Sequence, residues 1–139
     1  MKREVRVMNR KISRYEMMTI VPNDNAYNDY VDRVQFQITL SHPNEMALIR
    51  VIVCQYSVSN APQELYLTTD DKVLDYKTYI CKSRWKVASE MKTEIEGEAV
   101  VNDVNIPGYE TGIAIEHSSG EDFDIYGHVN VDYERVENS

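Results

Sequence analysis

Cysteine is nearly absent: Cys54 and Cys81 are the only two in the chain. They have no CxxC spacing and no histidine close by in sequence, which excludes the usual zinc and redox motifs. Cys54 lies inside an apolar run, where a buried free thiol is the common outcome, and a reduced compartment is expected. Long hydrophobic runs are missing too. The longest, "MALIRVIVC" (46–54), is too short to cross a bilayer and contains Arg50. The N-terminus "MKREVRVMNRKISRYEMM" starts basic but has no apolar h-region, so export by a signal peptide is not expected. A soluble protein of the cytoplasm or of a virion, with no membrane partner, is the expectation.

The five glycines form no GxGxxG, GxxxxGKS/T or GxSxG pattern, and HExxH does not occur. Nucleotide-binding loops, nucleophile elbows and zinc-protease helices are therefore not indicated. Phenylalanine and tryptophan are scarce, at two and one, against ten tyrosines. Tyrosine combines apolar area with a polar tip, which suits half-buried contact surfaces, although strands favour it as well.

What is present is an ordinary globular composition, 42% hydrophobic and 27% charged over 139 residues, enough for one domain with a core of its own. The net charge of −8 hides an asymmetry. Residues 1–16 carry Lys2, Arg3, Arg6, Arg10, Lys11 and Arg14 against Glu4 and Glu16. Residues 90–139 hold 13 carboxylates against Lys92 and Arg135. Residues 1–16 read as a basic N-terminal arm or first strand, and 17–139 as a single β-rich domain. An acidic body repels phosphate backbones, so nucleic acid is an unlikely partner. The basic head is expected to fold back on the acidic body of its own chain or of a neighbouring copy.

Alternation supplies the strands. "EVRVMN" (4–9) alternates weakly. "VPNDNAYNDYVDR" (21–33) has the composition of a long ordered loop. Its acidic spacing invites comparison with a calcium loop, but Asn28 and Val34 stand where an EF-hand needs its Gly and closing Glu. "RVQFQITL" (33–40) alternates cleanly, "MALIRVIVCQYSV" (46–58) reads as a central strand buried on both faces, and "QELYLTT" (63–69) as another strand. Residues 79–101 are ambiguous. Glu/Lys/Met/Ala content and the spacing of Ile80, Val87, Met91 and Ile95 favour a helix near 79–96. Charges confined to even positions from Lys86 favour a hairpin turning at "SEMK" (89–92). "GIAIEH" (112–117) and "DFDIYGHVNVDYERV" (122–136), joined by "SSGE", read as a second hairpin, with Gly127 marking a bulge or a close backbone contact. The fold class is mainly β, an antiparallel sandwich or small barrel of about eight strands, with an α+β variant if the helix forms.

Candidate chemistry is sparse. His42, His117 and His128 are expected in surface or loop roles. In the second hairpin His117 would pair with Asp122 and His128 with Thr111, about 20 Å away, too far to share a metal. Glu116, Asp122 and Asp124 would lie at one hairpin end as solvated turn charges. Ser118 and Ser119 lack the strand-to-helix context of a nucleophile. No metal, cofactor or catalytic role is expected. The reading that fits best is a non-catalytic structural or interaction protein, a homo-oligomer, for which a viral or phage particle is one setting. Its contacts would be Arg3, Arg6, Arg10, Lys11 and Arg14, the carboxylates Glu116, Asp122 and Asp124, and the tyrosines Tyr27, Tyr30, Tyr109, Tyr126 and Tyr133. The alternatives are an acidic inhibitor or module docking on a basic protein surface, and a small ligand-binding or enzymatic β-barrel.

Overall fold

The computed structural model describes residues 2–22, 27–41, 47–56, 78–88, 92–100 and 110–137, with the backbone alone at 27–28 and 78–88. Every regular element among them is a strand. These are β1 (Lys2–Ile12), β2 (Tyr15–Val21), β3 (Tyr27–Ser41), β4 (Ala47–Tyr56), β5 (Thr78–Ala88), β6 (Lys92–Val100), β7 (Glu110–His117) and β8 (Phe123–Glu137). They form two four-stranded sheets with orders β1-β8-β3-β6 and β2-β7-β4-β5. All pairings are antiparallel. The two sheets face one another and do not close into a barrel.

Where a strand alternates, as β3, β6 and β8 do, one face meets the opposite sheet and the other does not. Val34, Phe36, Ile38 and Leu40 of β3, Ile49, Val51 and Val53 of β4, Ile113 and Ile115 of β7, and Phe123, Ile125, Val129 and Val131 of β8 make one continuous core. Each such side chain contributes roughly 1.5–3 kcal/mol on burial. Strand β4 is buried on both faces, as its nearly continuous apolar run implies. Ile52, Cys54 and Tyr56 form a second cluster with Ala114, and Tyr15 and Met17 pack on it. Cys54 is a buried free thiol.

Residues 78–88 and 92–100 are two strands and not a helix, yet they are not a hairpin. β5 pairs with β4 in one sheet and β6 with β3 in the other. The "GIAIEH" and "DFDIYGHVNVDYERV" runs behave in the same way, since β7 pairs with β2 and β4 while β8 pairs with β1 and β3. Both pairs are arches that cross from sheet to sheet. Alternation decides which side chains point inward, and in an arch as in a hairpin the inward faces meet the same core. The choice between the two belongs to the neighbours. The expected loop at 21–33 is overturned from Tyr27 onward, where β3 is already paired with β8. Strand β2 carries its own irregularity, a register shift between Thr19 and Val21. The expected strand at 63–69 lies outside the described residues.

Eight antiparallel strands in two facing sheets, with β1 beside β8 and the chain changing sheet at every connection except β4 to β5, is the jelly-roll arrangement. Gly127 sits in its centre, between Met8 and Ile38. Its φ of +153° and the Gln37 carbonyl oxygen, which stands where a Cβ would lie, leave no room for a side chain. Gly127→Ala is expected to lower the unfolding free energy by about 2–4 kcal/mol, read as a shift in the urea midpoint at unchanged slope.

Candidate functional site

The outer face of the β1-β8-β3-β6 sheet is where residues of the basic head and of the acidic half come together. Register lines them up across four strands. Arg3, Asp132, Arg33 and Val100 form one row. Val5, Asn130, Gln35 and Glu98 form the next, then Val7, His128, Gln37 and Glu96, then Asn9, Tyr126, Thr39 and Glu94. Lys11, Asp124, Ser41 and Lys92 close the face. One edge is therefore basic and apolar, the centre holds neutral amides and an imidazole, and the far edge is acidic. At about 4.8 Å per strand the two edges stand about 14 Å apart. A shallow concavity of about 340 Å³ lies over Gln35, Gln37, Glu96, Glu98, His128 and Asn130.

Residues 2–12 form the edge strand β1, paired with β8 along its whole length. Its cations meet carboxylates of the same chain. Arg3 makes a bidentate contact with Asp132 at 2.6 and 3.1 Å. Arg6 lies 3.3 Å from Glu4, Arg10 2.8 Å from Glu16, and Lys11 3.9 Å from Asp124. Arg14 is exposed in the turn between β1 and β2. The Arg3 guanidinium, by hydrogen bond first and by charge, holds the Asp132 carboxyl below its ordinary value.

Hydrophobicity is inverted along β1. Met8 and Ile12 face the core, so Val5 and Val7, at odd positions, face outward and are 57% and 81% exposed. Strand parity is the reason: a one-residue slip would bury the valines and expose Met8 and Ile12. Arg6 and Arg10 fall on the inward parity at the open side of the sandwich. There, with Glu16, Met8, Met17 and Met18, they line a cleft of about 440 Å³ between β1 and β2. The Arg10–Glu16 pair bridges its rim.

The other expected contact residues are scattered. Tyr30 and Tyr126 are partly exposed. Tyr133 is in the core, where its hydroxyl donates to Glu4 at 3.1 Å and burial raises its pKa. Tyr27 lies in β3 with only its backbone described, and Tyr109 is outside the described residues. Asp122 and Asp124 are exposed, but Glu116 is 2% exposed and belongs to the other sheet. It sits between Tyr15 and Arg50 in register, and burial, followed by the charges of Cys54 and Glu116, pushes the Tyr15 phenol up. The three carboxylates do not make one patch, because the supposed hairpin that would join them is an arch.

His117 also departs from its expected surface role. It is fully buried and stacks on Phe123 at 4.0 Å with the rings 10° apart. The backbone N–H of Ser119 donates to Nδ1 at 3.2 Å, and Nε2 faces the Ile12 carbonyl at 3.3 Å. An acceptor at Nδ1 and a donor at Nε2 define the neutral Nε2–H tautomer. Around it, the His117 N–H donates to the Arg14 carbonyl, and Ser118 exchanges two bonds with Leu48. These bonds tie the β1–β2 turn and the β7–β8 connection to the start of β4 at one end of the sandwich. His128 is half-buried on the outer face, and His42 is outside the described residues. Among the described residues no three His, Cys, Asp or Glu side chains are grouped to hold a metal ion, and no helix is long and apolar enough to cross a membrane.

Val5, Val7 and Asp132 were not among the expected contact residues, and neither were Glu94, Glu96 and Glu98, although their even positions already place them outward. The even-position charges of β6 were a usable signal for the last three.

The fold and surface define a jelly-roll sandwich with an amphipathic, charge-graded outer sheet. No family model matches the sequence, and no curated protein matches it. Among solved structures the chain is similar to one described as the crystal structure of the infectious bursal disease virus VP2 subviral particle, at 11% identity and a TM-score of 0.41. The match covers 98% of this chain and 33% of that one, so the chain spans about a third of that protein's length.

Two outcomes follow for the groups described above. His117→Ala removes the stack and leaves the Ser119 N–H and the Ile12 carbonyl without their partner. It is expected to cost about 2–4 kcal/mol in chemical denaturation, whereas His128→Ala is expected to cost less than about 0.5 kcal/mol. Because the folded-state pKa of Asp132 is depressed, the Arg3 pair stabilises above the ordinary carboxylate value of about 3.9 and is lost as pH falls through the folded-state value. The stability difference between the wild type and Arg3→Gln is therefore expected to be present at neutral pH and to vanish in strong acid. Its exposure keeps it small and sensitive to salt.

Proposed function

We propose that this protein is a non-catalytic structural subunit that associates with copies of itself through the outer face and edges of the β1-β8-β3-β6 sheet. The exposure of Val5 and Val7 on an edge strand carries the reading. Two outward valines at a sheet edge bury nothing within the chain, and apolar side chains are ordinarily kept off exposed edges. A contact that covers them gives them a role. The segregation of charge across the same face supports a contact between unlike edges, and Tyr126, beside Asn9 in register, adds apolar area with a polar tip. No cofactor takes part in this function. A viral or phage particle is the setting we propose, on fold analogy alone, since jelly rolls build capsids and also lectins and cupins.

A second reading is favoured by the exposed Glu94, Glu96 and Glu98 row: a monomer that docks these carboxylates on a basic protein surface. Light scattering at low and high salt separates the two. Self-association that weakens as salt screens the edges supports the first, and a monomer at both salts overturns it in favour of the second. In the first case Val5→Thr with Val7→Thr is expected to reduce the assembled fraction while leaving thermal stability nearly unchanged, because both side chains are already in water.

A further inference from the structure

Resting on the assembly reading above, we infer the mode of contact: the β1 edge of one copy pairs with the β6 edge of the next, extending the sheet from chain to chain. Among the described residues β1 is bonded only to β8 and β6 only to β3, so each is an edge strand. Four antiparallel strands give the two edges opposite directions. A second copy set beside the first in the same orientation, apart from the twist of the sheet, therefore lays its β6 antiparallel to β1 with the outer faces continuous, and no half-turn is needed.

Charge selects this pairing over its competitors. β1 carries Lys2, Arg3, Arg6, Arg10 and Lys11 against Glu4, and β6 carries Glu94, Glu96 and Glu98 against Lys92. Pairing β1 with β1, or β6 with β6, sets like charges against each other, which is destabilising across strands. Pairing β1 with β6 does not. The outward side chains also match in register. With Val7 opposite Val100 of the next copy, Lys11 falls opposite Glu96 and Asn9 opposite Glu98. Val7 and Val100 are 81% and 56% exposed in the single chain, and the contact covers both. The shift by two residues that sets Val5 opposite Val100 places Lys11 opposite Glu94 but sets Val7 against Glu98, so the register with Val7 opposite Val100 is the better matched. Such a contact is heterologous, and its repetition makes a ring or an open array according to the twist it carries.

The test uses the full chain. Lys11→Glu and Glu96→Lys, each outward and exposed, are expected to lose the assembled species in light scattering while circular dichroism stays that of the wild type. The chain carrying both is expected to recover it. In parallel, Val7→Cys mixed with Val100→Cys is expected to give a disulfide-linked dimer on oxidation that neither variant gives alone. Single charge variants that assemble like the wild type, a double variant that does not recover, or Val7→Cys linking to itself would each overturn the β1–β6 contact while leaving self-association standing. A wild type that stays monomeric at low salt removes the assembly reading and this contact with it.

Discussion

The structure depends on one constraint: each sheet has an apolar face that is stable only against the apolar face of the other. That burial sets the parity of every strand and draws the chain from sheet to sheet. The β5–β6 and β7–β8 pairs cross the sandwich because β3 and β4 already supply the sheet neighbours that β6 and β5 need. The close passage of Gly127 past the β3 backbone and the hydrogen-bonded ring around His117 serve the same end. The first lets the middle strands approach, and the second clamps the connections at one end of the sandwich.

The same constraint explains a place where the sequence and the fold disagree. β1 carries apolar residues on both parities, and only one set can face inward. Met8 and Ile12 take the inward places, and Val5 and Val7 are left in water. Local conflict of this kind in an otherwise consistent sequence is where a functional demand is to be sought. The charges around the valines fit that demand. Most of the cations of β1 are partly neutralised within the chain, so the edge that β1 presents is mixed in charge.

Much of the strand content was legible. The alternation of Val34, Phe36, Ile38 and Leu40 and the continuous run of β4 follow from burial on one face or on two, and both are written in the residue order. The even-position charges of β6 are legible in the same way. The β2 strand was not, because Tyr15–Val21 lacks clean alternation and has a register shift of its own. Nor was Tyr27–Arg33, where Asn and Asp imitate a loop while long-range pairing with β8 holds the chain extended. The candidate surface was half legible. Lys11 and Tyr126 lie exposed on the outer face, but Glu116 and Tyr133 look like surface residues in the sequence and are buried in the fold.

The sequence by itself determined that the chain is a mainly-β domain, which side chains of its clearest strands point inward, and that its two ends carry opposite charge. Those properties depend on residues one or two places apart, and the side-chain period of a strand expresses them directly. Only the tertiary structure decided that the two apparent hairpins are arches, that the basic head is an edge strand, and that its valines share a face with the glutamates of β6. Those depend on which strand becomes whose neighbour, a choice made by the packing of two whole sheets and carried by no local stretch of residues.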